Sequence, residues 1–386
     1  MGQSTQTVTT PAGNHAPSAS ERPPPSGLDA EAVAEAIVSE GVAPLAATGC
    51  AGRSETSWHV ELGGATATLF DLASLTKPMT AVAIARAGID PRATLGALVP
   101  ELARTASGEI PLELLLSHRA GLEAHAPLFA PLLEGAAVDA AAALVTAANA
   151  RRDDARGPVP AEGFAPVYSD LGYVLAGAAL ARCVGTRDAG EAIARLVAAP
   201  LGLERELGTA RELEALGRDL AREAAPTEDV AWRGGVVCGR VHDENAWALT
   251  ATGGSGHAGM YGTVAAVMAF GSALLDSLLP AYGFEARLGA ARSLAWLVSP
   301  RTGGTLRAGF DGKSTVGSSA GRLAGPRTFG HLGFTGTSLW IDPDARAVVA
   351  LLTNRVHPTR EHLAIRAARP RAHDALFARA RSLGAT

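Results

Sequence analysis

A serine and a lysine three positions apart, Ser74 and Lys77, are the first pair in this sequence that could do chemistry together. On a helix, residues at i and i+3 lie on the same face, so the lysine amine can reach the serine hydroxyl. Serine is a weak nucleophile until a base takes its proton, and burial helps a lysine to act because it disfavours the ammonium form. The same spacing also arises by chance, with the serine capping a helix and the lysine on its surface, so the pair needs support from other segments.

The residues after Ser74 predict where this serine lies. A helix is expected from about Ser74 to Ala87, ended by Gly88. Pro78 falls in its first turns, where a missing N–H costs little because few of those groups have a helical partner. Ser74 should therefore lie at or just before the helix start, where free main-chain N–H groups favour a developing oxyanion.

A tyrosine and an aspartate, Tyr168 and Asp170, lie at a predicted junction between a loop and a helix. A tyrosine in such a place can hold its phenolic oxygen near an active site. If cations flank it, its pKa would fall from about 10 toward a range useful for a general base. The alternative is a half-buried tyrosine of the hydrophobic core.

A third segment, residues 329–340, combines His331 with Gly330, Gly333 and Gly336. Glycines in a strand allow a ligand or another backbone to approach closely. A strand edge beside a serine could offer a second oxyanion N–H and could bind an extended substrate by strand addition.

The order of these segments resembles the serine β-lactamase and DD-peptidase (penicillin-binding protein) superfamily. Ser-x-x-Lys is followed about 90 residues later by Tyr-Ser-Asp, and His-x-Gly comes near the C-terminus. The sequence is most similar to the class C-like branch of esterases and peptidases, over about residues 28–357. Further resemblance lies in four segments, residues 70–77, 114–122, 200–203 and 242–245.

The resemblance implies a role for each matching residue. Ser74 would be acylated, and Lys77 would hold the hydrogen-bond network around it. Tyr168 would relay the serine proton to the leaving group and later activate the deacylating water. His331, followed by Gly333, occupies the place of the lysine in the superfamily's Lys-Thr-Gly motif. The oxyanion hole would be formed by the main-chain N–H groups of Ser74 and Phe334.

Two residues depart from the superfamily's pattern. Asp170 stands where many β-lactamases have asparagine, and an ionised carboxylate cannot donate a hydrogen bond to a substrate amide. Its charge should also keep Lys77 protonated, which favours Tyr168 as the base. Leu332 replaces the threonine of the third motif, which removes a hydroxyl that helps to bind a carboxylate. Both changes argue against efficient penicillin hydrolysis but leave acyl-enzyme chemistry intact.

The function predicted from the sequence is a serine hydrolase that cleaves an ester or an amide, D-amino-acid peptides included, through an acyl-enzyme on Ser74. A β-lactam is a less favoured substrate. The alternative from another class is a non-catalytic scaffold or ligand sensor on the same fold. The expected partner is therefore a small molecule or a peptide.

Composition excludes several other classes of function. The 386 residues are 47% hydrophobic, enough for one large catalytic unit or two interleaved domains. A net charge of -4 and a pI of about 6.2 give no footprint for nucleic acid. The ten histidines and three cysteines show no metal spacing, so we expect neither metal nor cofactor, and the cysteines are interpreted as small buried hydrophobes.

The pattern of elements predicts an α+β fold of the β-lactamase/transpeptidase type. An antiparallel sheet is built from both termini and flanked by helices, and a mostly helical domain is inserted into it. Residues 28–88 and 326–386 would form the sheet domain and residues 89–325 the helical domain, with the active site at their interface. Residues 1–27 are expected to be disordered. They lack the apolar core of a signal peptide, and no run approaches the ~20 residues that span a bilayer, so a cytoplasmic protein is expected.

Three further features have plainer interpretations. Residues 317–321 fit G-x-S-x-G, but no strand precedes them and no helix follows, so a loop is expected. Gly63 and Gly64 are predicted to form a turn between apolar segments. Residues 253–259 should form a tight loop lining the cleft, in which His257 makes a local hydrogen bond, and His118 should fix a turn.

Overall fold

The protein is described by a computed structural model covering residues 28–279 and 285–385. The disorder predicted for residues 1–27 lies outside these ranges. In the described part, the strands are β1 Ala46–Arg53, β2 Trp58–Gly64, β3 Phe70–Asp71, β4 Leu207–Gly208, β5 Asp229–Val230, β6 Gly235–Val236, β7 Tyr261–Gly262, β8 Asp311–Gly312, β9 Phe329–Leu332, β10 Ser338–Asp342 and β11 Ala347–Thr353.

Helices make up most of the chain between β3 and β8. They are α1 Ala30–Ser39, α2 Thr76–Arg86, α3 Leu95–Leu98, α4 Leu112–Leu116, α5 Ala130–Leu133, α6 Ala140–Asn149, α7 Asp170–Val184, α8 Ala189–Ile193, α9 Ala199–Leu201, α10 Ala210–Ala215, α11 Leu220–Glu223, α12 Glu244–Thr250, α13 Val264–Leu278, α14 Ala291–Val298 and α15 Ile365–Gly384. Short 3-10 turns cover Ala73–Leu75, Pro100–Leu102, Asp153–Ala155 and Ala231–Arg233, and a π-helix covers Ala194–Ala198.

An antiparallel sheet built from both ends of the chain organises the described residues, which confirms the predicted fold class. Its strand order is β2-β1-β11-β10-β9-β8. Along β11, successive side chains alternate between two hydrophobic cores, as the pleat of a strand requires. Val349 and Leu351 pack in the core formed with α1 and α15, whereas Ala350 and Leu352 pack in the core that includes α13.

The prediction of a turn at Gly63 and Gly64 is wrong. Both residues end β2 and pair with Thr48 and Ala47 of β1. The chain reverses earlier, where the Ser54 N–H donates to the Ser57 carbonyl over 3.0 Å. The glycines are small because α1 crosses the strand here: a Cβ atom on Gly63 would lie 2.3 Å from the main-chain nitrogen of Glu31.

Two elements from the middle of the chain complete the sheet layer. α13 packs against β1, β10 and β11, and β8 forms the edge of the sheet beyond β9. A separate group of helices packs together apart from this sheet layer: α2, α4, α6, α7 and α8. The division into domains at residues 88 and 326 stays a prediction.

Two more expectations concern the chain as a whole. Cys50 is buried as predicted, but Cys183 is exposed and Cys238 only partly buried. Within residues 28–279 and 285–385, every helix is too short or too polar to cross a membrane. The cytoplasmic location stays a prediction.

The buried histidine His373 of α15 should make the stability of the folded protein depend on pH. It is fully buried, its Nδ1 donates to the Ser319 carbonyl over 2.6 Å, and its Nε2 lies 2.8 Å from the Ser338 hydroxyl. Burial lowers its pKa from 6.5 to about 4. Below about pH 6.5 the unfolded chain therefore binds more protons, and stability falls as pH falls toward 4. We expect this residue to contribute about 2 kcal/mol less to the free energy of unfolding at pH 5 than at pH 7.5.

Urea unfolding at the two pH values checks this expectation. His373→Gln should lose about 2 kcal/mol less than wild type between pH 7.5 and pH 5, because glutamine does not titrate. His362→Gln, which changes an exposed histidine, is the matched control and should behave as wild type. Equal losses in all three proteins contradict the assignment.

Candidate active site

Ser74 lies in the 3-10 turn that leads into α2, as its neighbours in the sequence predict. Ala73 just before it has φ +47°, a left-handed conformation that costs an L-residue about 1–2 kcal/mol. Asp71 holds this turn, because its carboxylate accepts from the N–H groups of Ala73 at 2.8 Å and His242 at 2.7 Å. A strained turn therefore presents the serine at the tip of the helix.

Lys77 is completely buried beneath Ser74. Its ammonium donates to the Ser74 Oγ at 2.8 Å, to the Asp170 carboxylate at 2.7 Å and, less closely, to the His257 carbonyl at 3.4 Å. Burial lowers the pKa of Lys77, but Asp170 and Tyr168 together outweigh burial, and the pKa lies above its usual value. Lys77 is therefore protonated at neutral pH and is not a base in this state.

Tyr168 joins the same group. The Lys77 nitrogen lies 4.8 Å from the centre of its ring, and both Lys77 and Ser74 are near enough to act on the pKa of its hydroxyl. The ring stacks on His118 at 4.6 Å and is 38% exposed. The structure thus brings together the serine, the lysine, the tyrosine and Asp170 from two distant parts of the sequence.

The pKa of Tyr168 is raised, not lowered as flanking cations would make it. Burial of the phenol and the charge of Asp170 raise it, and together they outweigh the opposite effect of Lys77. The two histidines beside the ring supply no charge. Burial and the nearby Lys77 lower the pKa of His331 to about 3 and that of His118 well below its usual value. Among residues 28–279 and 285–385, Lys77 is the cation near the phenol, and the resting tyrosine is neutral.

His331 lies in the cleft beside Tyr168, with 5.9 Å between the ring centres. Its Nδ1 donates to the Leu332 carbonyl at 2.7 Å, so the other nitrogen of the neutral ring carries no proton. The position at which the resemblance places a lysine therefore carries no positive charge.

The turn between β9 and β10 is fastened to the residues just before Ser74. Thr335 donates its hydroxyl to the Asp71 carbonyl at 2.7 Å, and Thr337 donates to the Leu72 carbonyl at 3.0 Å. Gly333 permits this contact, because a Cβ atom there would lie 2.6 Å from the Leu72 oxygen. The β9–β10 turn therefore holds Phe334 beside the turn that contains Ser74.

The two predicted oxyanion donors have a free N–H. Throughout the part of the chain that the structure describes, the main-chain N–H groups of Ser74 and Phe334 donate to no protein acceptor. An oxyanion hole requires such donors, held rigidly and left free for the substrate.

The glycine-rich loop at residues 253–259 closes the base of the site. His257 lies 2.8 Å from Asp243 through Nε2 and 3.2 Å from the Ser255 hydroxyl through Nδ1. It reaches Lys77 only through its main-chain carbonyl. The predicted role of His257 in a local hydrogen bond agrees with this geometry.

The sequence did not indicate how closely His118 is tied to the tyrosine. His118 has φ +60°, and its Nδ1 accepts from the Ser169 N–H at 3.0 Å while its ring supports Tyr168. Its signals in the sequence were the turn predicted there and its place in residues 114–122, one of the segments of resemblance. Asp71 lies in another of those segments, residues 70–77, whereas Arg369 lies outside all four. Among the described residues, no cluster of three or more metal-ligating side chains is present.

The chain is similar to known proteins in its sequence. The sequence model of the beta-lactamase family matches residues 45–373. A putative D-alanyl-D-alanine carboxypeptidase of Escherichia coli (strain K12) is 31% identical over 127 residues, which are 32% of this chain and 29% of that protein. The chain thus matches less than a third of the length of that curated relative.

Solved structures share the fold across most of the chain. EstCE1, a hydrolase with promiscuous acyltransferase activity, superposes with a TM-score of 0.63 at 19% identity, covering 89% of this chain and 96% of EstCE1. A class C beta lactamase from Rhodobacter sphaeroides gives 0.61 at 18% identity, covering 89% and 97%. At these identities the likeness shows the fold alone.

Proposed function

The chain belongs to the beta-lactamase family, and from this premise we propose that it is a serine hydrolase that cleaves an ester or an amide through an acyl-enzyme on Ser74. The observation that carries the proposal is the contact of 2.8 Å between the buried Lys77 ammonium and the Ser74 hydroxyl. Because Lys77 donates to that oxygen, the serine's own proton is free to be given to Tyr168.

Acylation needs the phenolate form of Tyr168, which the adjacent Lys77 ammonium stabilises. The substrate carbonyl oxygen binds the N–H groups of Ser74 and Phe334. The Ser74 Oγ attacks the carbonyl carbon while its proton passes to Tyr168, and a tetrahedral oxyanion forms. When this intermediate collapses, the bond to the leaving group breaks. The departing alcohol or amine takes the proton from Tyr168.

Deacylation repeats these steps with water. A water molecule gives its proton to Tyr168 and attacks the acyl carbon, and the Ser74 oxygen leaves and recovers the proton. The sum is one ester or amide and one water converted to an acid and an alcohol or amine. Asp170 serves both halves by keeping Lys77 charged.

The charges around the cleft favour esters over β-lactams. His331 is neutral and Leu332 has no hydroxyl, so neither can hold the carboxylate that a penicillin carries. Asp170 accepts hydrogen bonds and already binds Lys77, so it offers no donor to an amide. D-amino-acid peptides rank second; the activity named for the curated relative supports them over a limited part of its length.

An activity panel tests the proposal. We expect the purified protein to hydrolyse a nitrophenyl ester with a kcat/KM about 10²-fold higher than for a chromogenic cephalosporin, because unmatched polar groups each cost about 1–3 kcal/mol. A fluorophosphonate probe should label it. Failure of both labelling and turnover on esters, cephalosporin and D-alanyl-D-alanine peptide would favour the non-catalytic scaffold or sensor. Faster turnover of the cephalosporin would overturn the ranking of substrates.

A further inference from the structure

Arg369 of α15 lies behind the turn that carries the proposed oxyanion donor. Its side chain is 8% exposed, and one of its terminal nitrogens donates to the carbonyls of Gly333 at 2.8 Å and Thr337 at 3.0 Å. Among the described residues no carboxylate lies within salt-bridge distance of it, and its Nε has no hydrogen-bond partner. A buried cation without a counter-ion is costly, so its retention calls for a reason beyond packing.

The Gly333 carbonyl belongs to the same peptide group as the Phe334 N–H. This peptide bond is trans, because within residues 28–279 and 285–385 the cis bond is that between His357 and Pro358. In a planar trans peptide the C=O and N–H point in opposite directions. A carbonyl directed at Arg369 therefore directs the N–H away from α15, toward the cleft.

A charged donor on the carbonyl also changes the strength of that N–H. Hydrogen bonds in a chain polarise one another, and bonds to ionised donors are about twice as strong as neutral ones. Burial lowers the pKa of Arg369, with help from Arg355, but only to about 10, so the guanidinium keeps its charge at neutral pH. Arg355 differs in kind, because it binds the Phe334 carbonyl, which belongs to the next peptide group.

We infer that Arg369 is a positioning residue for the oxyanion hole: by binding the Gly333 carbonyl it orients and polarises the Phe334 N–H toward the negative charge of the tetrahedral intermediate. This inference rests on the proposed function, since it concerns the same acyl transfer. It adds a residue on the last helix to a site otherwise formed by residues 71–77, 168–170 and 331–334.

Arg369→Met and Arg369→Gln test the inference, with Arg366→Gln, an exposed arginine on the same helix, as the matched control. We expect kcat/KM for a nitrophenyl ester to fall about tenfold in both variants, less than the ~10²–10³-fold loss when an oxyanion donor is removed outright. KM should change little, because the interaction strengthens only in the transition state. The Arg366 variant should retain wild-type values.

A phenylboronic acid supplies the readout that a purely structural role would not move. It adds to the Ser74 oxygen to give a tetrahedral anion, so its inhibition constant should rise in proportion to the loss in kcat/KM. Folded variants with wild-type kcat/KM, or with a loss in kcat/KM and unchanged boronate affinity, overturn the inference. Loss of the fold in both variants also overturns it, because Arg369 would then be structural. If the wild-type protein shows no ester turnover or labelling, the proposed function itself fails.

Discussion

Replacement of Ser74 by alanine is expected to lower ester turnover by about 10⁴-fold or more, because the hydroxyl is the atom that forms the acyl bond. The substitution leaves the main-chain N–H groups of residue 74 and Phe334 in place, so both proposed oxyanion donors survive. Lys77 keeps its bonds to Asp170 and to the His257 carbonyl, so its charge stays compensated. The loss should therefore measure the missing nucleophile and not a collapsed site.

Steady-state kinetics on a nitrophenyl ester and labelling by a fluorophosphonate probe measure this effect. Ser319→Ala is the matched control, because Ser319 is the serine of the G-x-S-x-G sequence at residues 317–321, whose loop lines a cavity beside α1 and α15. That variant should turn over and label as the wild type does. Wild-type turnover in the Ser74 variant, or loss of activity in the Ser319 variant, contradicts the assignment of the nucleophile.

The geometry of the serine and the lysine could be predicted because it is local. A spacing of three residues and a proline in the first turn fix their relation within one helix. The alternation of side chains along β11 was predictable for the same reason, since an apolar run of that length must be buried on both faces of a sheet.

Contacts between distant segments were predictable only where the resemblance supplied them. Lys77 and Asp170 are 93 positions apart, and no spacing rule connects them. Asp71 lies in a segment of resemblance, but no sequence pattern indicated that its carboxylate binds the N–H of a residue 171 positions away. Arg369 lies in a helix rich in alanine and arginine, where an arginine is typical of a solvated surface, so its burial could not be predicted.

Two wrong predictions, a turn at Gly63 and Gly64 and the burial of Cys183 and Cys238, have a common physical cause. Gly63 was assigned to a turn, yet it is needed where a helix crosses a strand, and the same residue type serves both purposes. The pKa of Tyr168 was expected to fall only if cations flanked it, and whether they do depends on the burial and charge state of its neighbours. Sequence reports which residues are present, whereas these properties depend on what surrounds them.

Replacement of Tyr168 by phenylalanine is the second large effect, an expected loss of about 10²–10⁴-fold in kcat/KM, the usual contribution of a general base. Phenylalanine keeps the ring that stacks on His118 at 4.6 Å and removes only the hydroxyl. Tyr261→Phe is the matched control. Its buried hydroxyl has no hydrogen-bond partner among the described residues, so its removal should leave activity unchanged.

The pH profile separates a base from a structural tyrosine. The pKa of Tyr168 lies above its usual value of 10, so the phenolate is a minor form at neutral pH and grows about tenfold per pH unit below that pKa. Wild-type kcat/KM, after subtraction of spontaneous hydrolysis, should therefore rise from pH 6 to pH 9. The Tyr168 variant should show no such rise. A flat wild-type profile, or the same slope in both proteins, would mean that another group takes the proton of Ser74. Lys77 is not that group in this state, because its contact of 2.7 Å with Asp170 keeps it protonated. Among the described residues, Tyr168 is therefore the favoured base.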